Sequence, residues 1–342
     1  MKSSSVDTVN VVEYHGMSRN IWRVGVLVFF ALLAMCGIFL SLTQGTTNIS
    51  INDIFNILQA PIGSANSQIV WNIRMPRTIV GALVGVNLAL SGAILQAVMR
   101  NPLADPHIIG ISSGAGLAGV TIMILYPSME YLITPIAFVG AMATAVCIYI
   151  IAWKNGIKPV RIILAGVAVS AFLSSGISGL MIFYSDRVHG ALMWMVGGLA
   201  ARSWPQVAII WPYAVVGLLL ALLGAQYLNI LQLGDEMASG LGVNVELVRI
   251  ALTAVAALLA ASAVSVVGLL GFVGLIVPHA ARLLIGSDYR FLLPASALLG
   301  IGVVTLSDTF ARVIFSPIEL PVGIIMAFIG APFFLFLLRR EL

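Results

Sequence analysis

The chain has 342 residues, 60% hydrophobic and 9% charged, where an average soluble domain is about 25% charged. About 205 of the 342 residues are therefore apolar, and ten membrane helices of about 20 residues would use about 200. The formal net charge of +4 is scattered between apolar runs rather than gathered into a groove, which excludes a soluble enzyme, a disordered chain and a nucleic-acid-binding protein.

Charged side chains are costly in mid-bilayer, so runs without charge locate the helices. Such runs cover 24–52, 78–99, 106–129, 131–153, 162–185, 203–234, 250–281, 291–307 and 320–338. Residues 1–20 read as a polar, mobile cytoplasmic tail without a motif, and 21–342 as a single transmembrane domain. The run at 24–43 is long and no small-residue cleavage site follows it, so it predicts a first helix rather than a signal peptide. Residues 44–73 form an outer loop with a short surface helix at Asn52 to Leu58. Residues 188–201 are apolar but too short to span, and predict an interfacial or re-entrant helix around Met193 to Leu199. The run at 203–234 has polar ends and needs one span near 206–227. The loop 228–248 holds Gly234 to Gly242, a pattern that suits two short helices separated by a glycine turn.

The run at 250–281 decides the topology. Its 32 residues would make a helix about 48 Å long, against a hydrocarbon core of about 30 Å. Gly268, Gly271 and Gly274 offer a place to break it. With ten spans and a cytoplasmic N-terminus, twelve Lys and Arg fall inside and five outside. With nine spans the partition is nine against eight. The positive-inside rule therefore selects ten spans with both termini in the cytoplasm. Gly81/Gly85 and Gly110/Gly114 have helix-packing spacing. Spans two to five and seven to ten have opposite orientations, which permits an inverted repeat. Cys36 and Cys147 lie in apolar stretches and read as buried small hydrophobes, with no disulfide or metal spacing.

No catalytic constellation is present. H-E-x-x-H, G-x-S-x-G and Walker A motifs are absent; the lysines are Lys2, Lys154 and Lys158, and none follows a glycine. If the protein pumps, its ATP site lies on another chain. The four histidines share no helical face, and His279 reads as a cap or packed polar tip. Asp308 interrupts an apolar stretch four residues before Arg312, so the two can pair on a helix as a structural or docking pair rather than a proton relay. Arg74 and Arg77 stand on the outer side, where arginine is disfavoured. Snorkelling explains a single arginine. Two arginines three apart, with Arg312 near the same surface, are better explained as a cationic rim for carboxylates of a protein partner or an anionic solute.

From about Ile73 onward the residues resemble a known family. The markers are Arg74-Met75-Pro76-Arg77, Ser91-Gly92 with Gln96, Asn101-Pro102-Leu103-Ala104-Asp105-Pro106, Leu164-Ala165-Gly166 and Trp194 with Gly197-Gly198. The loop Gly234-Asp235-Glu236 with Ala238, Leu241 and Gly242 follows, then Gly271 to His279 with Arg282, Glu319 to Gly323, and Gly330 to Phe334. In this order they resemble the permease subunit of binding-protein-dependent ABC importers for iron–siderophore complexes, haem and cobalamin, a FecCD-like family. The resemblance implies an all-α type II importer permease with ten transmembrane helices in a bacterial cytoplasmic membrane. It implies a second permease subunit, two cytoplasmic ATPases that bind ATP and Mg, and an extracytoplasmic substrate-binding protein; the self-contained ten-span unit favours a homodimer over pairing with a related chain. It gives no cofactor, metal or catalytic residue to this chain. It assigns Arg74, Arg77 and Arg312 to binding-protein docking. Gly234, Asp235, Glu236, Ala238, Leu241 and Gly242 match the ATPase-coupling helices, and Asn101 and Leu103 a cytoplasmic gate. His107 departs from the family pattern. The competing readings are a metal-ion ABC permease, an ion-coupled secondary transporter and an intramembrane enzyme.

Overall fold

Glycines and prolines punctuate a chain that is otherwise helical. A computed structural model describes residues 6–45, 49–59, 64–107, 109–154 and 159–341; Lys2 and Lys158 of the charge partition lie outside the described residues. Helix α1 runs Val6–Thr43, α2 Ile51–Gln59, α3 Ala65–Ile69 and α4 Met75–Val98. Then come α5 Ile111–Leu125, α6 Ile133–Ala152, α7 Pro159–Phe183, α8 Val188–Val196 and α9 Trp204–Leu223. The chain continues through α10 Ala225–Gln232, α11 Asp235–Gly240, α12 Val245–Val267, α13 Val273–Ile285, α14 Tyr289–Val313 and α15 Val322–Glu341. Among the described residues there is no strand. Seven helical stretches are long and apolar enough to cross a membrane, carried by α1, α3 with α4, α6, α7, α9, α12 and α14. Three shorter apolar helices, α5, α13 and α15, accompany them.

The fold is built around α4. Nearly every residue from Pro76 to Val98 is buried, and α4 packs against α9, α12, α13 and α14. Small residues make this possible. A Cβ on Gly85 would collide with the Gly300 carbonyl of α14, and one on Gly92 with the Gly274 carbonyl of α13. Backbones this close gain dispersion contacts, the main packing force between helices in lipid. Polar groups on α4 are satisfied across the same contacts. Asn87 Nδ2 donates to Ser262 Oγ at 2.9 Å, and Ser91 Oγ donates to the Ala256 carbonyl at 2.7 Å.

The glycine cluster does break the long apolar run. Helix α12 stops at Val267, Gly268 has φ +82°, and α13 restarts after Phe272 at φ +67°. The 13-residue α13 is about 20 Å long, so this break lies within the bundle rather than at its end. Irregular backbone at that depth needs partners from the protein. Gly198 N–H donates to the Val267 carbonyl at 2.9 Å, and Gly323 N–H donates to the Gly197 carbonyl at 3.0 Å. The end of α8, the α12–α13 break and the start of α15 thus share one hydrogen-bonded node.

Three expectations change. The polar segment expected as a mobile tail is helical from Val6 onward, continuous with α1. The short helix expected around Met193 to Leu199 ends earlier, at Val196, because Gly197 at φ +82° turns the chain away. Cys36 and Cys147 are exposed, not buried. An apolar run in a membrane covers lipid-facing as well as core-facing positions, so hydropathy alone does not select the face.

Candidate translocation and coupling sites

At the outer end of α4 the chain makes a wide turn. Residues Val70–Arg74 are π-helical, with the Met75 N–H donating to the Val70 carbonyl. In a regular α-turn the Pro76 ring would press on the Asn72 carbonyl, and the wider turn relieves this. Arg74 closes the π segment and points back at α1. Its Nη1 donates to the carbonyls of Leu42 and Thr43 at 2.8 and 2.7 Å. Those carbonyls end α1, where helical partners run out and the helix dipole is negative.

Arg77 forks onto α14. Its Nε and Nη2 donate to Asp308 Oδ2 and Oδ1 at 3.0 and 2.9 Å, and its Nη1 donates to Glu319 Oε2 at 2.7 Å. Arg312 approaches the same carboxylate, Nε to Oδ2 at 3.2 Å, which is the expected pair four residues apart. Its Nη2 also donates to Ser41 Oγ at 3.0 Å. The expectation of exposed guanidiniums on a rim therefore needs correcting. Arg74, Arg77 and Arg312 are 4%, 6% and 3% exposed and bonded within the chain. They lace together α1, α4, α14 and the segment before α15. Glu319, with a side chain 33% exposed, is the part of this cluster that reaches the surface.

A cleft of about 650 Å³ opens beside Glu319, lined also by Glu130, Trp194, Gly198, Arg202 and Pro321. Trp194 and Gly198 belong to the hydrogen-bonded node, so the cleft stands directly above the α12–α13 break. Sequence reasoning did not single out Arg202 or Glu130; both sit in short connections that carry no motif. Burial lowers the pKa of Arg202 from its ordinary value, and the Glu130 carboxylate opposes that shift.

Asn101 and Leu103 lie, half-buried, in the connection from α4 to α5. Asn101 Oδ1 accepts from the Leu103 N–H at 2.9 Å, a local turn that competes with helix and ends α4. The same connection rises to pack Pro106 and His107 against Gly274 and Gly271. The far end of the connection that carries Asn101 and Leu103 therefore meets the α12–α13 break.

The coupling residues form a second unit. Gly234, at φ +102°, separates α10 from α11. Asp235 opens α11 and is clamped from both sides: Arg249 Nη2 of α12 at 2.9 Å and Arg100 Nη2 at 3.3 Å meet its Oδ1. Arg100 immediately precedes Asn101, so one carboxylate ties α11 to the connection between α4 and α5. Ala238 is fully buried and seats α11. Gly242, at φ +80°, closes the helix: its N–H donates to Ser239 and the Val243 N–H to Ala238, both carbonyls, in a Schellman-type end. Leu233, Met237 and Leu241, spaced by four, are all exposed. Glu236 is exposed beside them.

Among the described residues, no group of three His, Cys, Asp or Glu could hold a metal ion. His279 is buried and meets the Phe333 ring edge-on at 6.1 Å. Seven helices long and apolar enough to cross a membrane, with polar groups gathered into separate clusters, define a multi-pass membrane protein. The chain belongs to the FecCD transport family, which it matches over residues 32–340. It is 40% identical over 328 residues to the Fe(3+)-citrate import system permease protein YfmD of Bacillus subtilis, covering 96% of this chain and 98% of that one. It is 45% identical over 283 residues to the cobalamin import system permease protein BtuC of Halobacterium salinarum, covering 82% and 76%. A solved metal-chelate type ABC transporter in an inward-facing conformation superposes with TM-score 0.82 and 29% identity, over 92% of this chain and 99% of that one.

Proposed function

We propose that this chain is the permease subunit of an ABC importer and forms the path for an iron chelate, such as a siderophore complex, or a related large metal chelate. The observation that carries this reading is the family match along almost the whole chain, from 32 to 340. Two permease subunits, in a homodimer, work with two cytoplasmic ATPases that bind ATP and Mg and an extracytoplasmic binding protein that delivers the chelate. The seven long helices plus α5, α13 and α15 serve as ten spans, with both termini in the cytoplasm of a bacterial cytoplasmic membrane. The exposed Met237 and Leu241, four residues apart on and at the end of α11, support an ATPase seat there, because apolar side chains outside the bilayer call for a protein cover. Asp235 passes motion of that seat to Arg100 and the gate residues Asn101 and Leu103. The outer cluster of three guanidiniums and two carboxylates keeps a net positive charge and shapes the surface on which acidic groups of the binding protein dock.

Reconstitution in liposomes with the cognate ATPase and binding protein tests this. Chelate uptake is expected to require ATP and to survive an uncoupler. Uptake that proceeds without the ATPase and collapses with the proton gradient would instead make the chain a secondary transporter.

A further inference from the structure

A groove of about 430 Å³ runs between α6 and α12. It is lined by Val146, Tyr149 and Trp153 from α6, and by Thr253, Ala254 and Ala257 from α12, with other apolar neighbours. Its chemistry changes along its length. Trp153 stands at the end of α6, half-exposed, where an indole suits a membrane–water interface. Beside it Lys154 is exposed, and Arg161 of α7 folds back so that its Nη1 donates to the Lys154 carbonyl. Two cations therefore follow Trp153 closely, one next to it in the chain and one bonded to that neighbour's carbonyl, at this end of the groove. One helical turn further in, about 6 Å deeper, the wall is made by Tyr149 and Thr253, whose hydroxyl oxygens are themselves buried in it. Beyond them the lining is aliphatic, with Ala145, Val146, Ala254 and Ala257 leaving room.

We propose that this groove binds one anionic phospholipid of the surrounding bilayer. The headgroup phosphate meets Lys154 and Arg161. The ester region lies level with the Tyr149 and Thr253 hydroxyls, and an acyl chain fills the aliphatic part. The order cation, hydroxyl, hydrocarbon matches the order of groups in the ligand. A bare apolar helix face would accept any lipid chain, whereas the paired cations select for charge. Basic pockets between helices near the cytoplasmic surface bind acidic headgroups in this way. Only the placement of this mouth at the cytoplasmic leaflet rests on the topology proposed above.

The test is lipid retention by the purified full chain in mild detergent, delipidated and then exposed to vesicles of phosphatidylglycerol or of phosphatidylcholine. Native mass spectrometry counts the bound lipid. Phosphatidylglycerol is expected to be retained in preference. Each cation near the surface contributes about a fivefold factor, so Lys154→Ala should cut retention roughly fivefold and Lys154→Ala with Arg161→Ala further. Ala254→Trp, at an exposed position, should evict the lipid while the chain stays folded. Equal retention of the two lipids, or retention unmoved by these variants, would overturn the proposal. Retention is measured without transport, so its failure leaves the permease reading standing.

Discussion

Arg77 is the residue on which the outer end of the molecule depends most. Its fork holds Asp308 inside the protein; without it that buried carboxylate keeps only Arg312, a loss smaller than the about 3–5 kcal/mol of a buried charge left with no partner. Arg77→Ala is expected to lower the unfolding temperature in detergent. Arg77→Lys keeps the charge but not the fork and should fall between. An unchanged transition in Arg77→Ala would remove the lattice from the stability argument. At the opposite end, Asp288 caps α14 and accepts from Arg290 and Asn229. The Arg290 hydrogen bond, with that of Asn229, holds its carboxyl well below the usual value of 3.8. A depressed carboxyl contributes stability that is complete above the unfolded-state pKa and fades as pH falls through the folded-state one. Denaturation below about pH 4 should therefore be steeper in the parent than in Asp288→Asn. The sequence located Arg74, Arg77 and Arg312 at the outer end and named the Asp308–Arg312 pair. It gave no sign that Arg77 reaches Asp308 and Glu319, because partners more than two hundred residues apart are chosen by tertiary packing.

Among the elements, α4 shows what small residues do in a membrane fold. Gly92→Leu is expected to force α4 and α13 apart; overpacking of this kind costs typically about 1–3 kcal/mol, and a backbone collision should exceed that. Thermal unfolding of the variant, with yield of monodisperse protein as a second reading, checks it. The α12–α13 break was legible, since three glycines interrupt a run too long for one span. The coupling segment was legible as well, because glycines at 234 and 242 punctuate it. The exposed positions of Cys36 and Cys147 were not, because no polar periodicity marks a face inside an apolar helix. On α11, Met237→Ser with Leu241→Ser changes only exposed side chains. The variant should fold normally yet lose co-purification with the ATPase; retained co-purification would remove the seat from this row.

At the scale of the whole molecule, hydropathy and the positive-inside partition point to ten helical passes; among the described residues seven helices are long and apolar enough to cross a membrane, and three shorter apolar ones accompany them. Of the short ones, α5 and α15 fall in the charge-free runs 106–129 and 320–338, whereas α13 is visible only through the glycine break in the run 250–281. Docking through an outer cluster of this charge has a measurable signature. Affinity for the binding protein should fall as ionic strength rises from about 10 mM to about 1 M, because screening shortens from roughly 30 Å to 3 Å. An affinity indifferent to salt would place docking on apolar contacts instead.

The bond from the Gly323 N–H to the Gly197 carbonyl also bears on how the protein is made. The ribosome delivers Gly197 long before Gly323, so during synthesis that carbonyl waits inside the bilayer for a donor not yet translated. The loop after α8 and the α12–α13 break therefore reach their final form only when α15 has been inserted. The node beside the cleft is thus completed late in synthesis, by the start of α15.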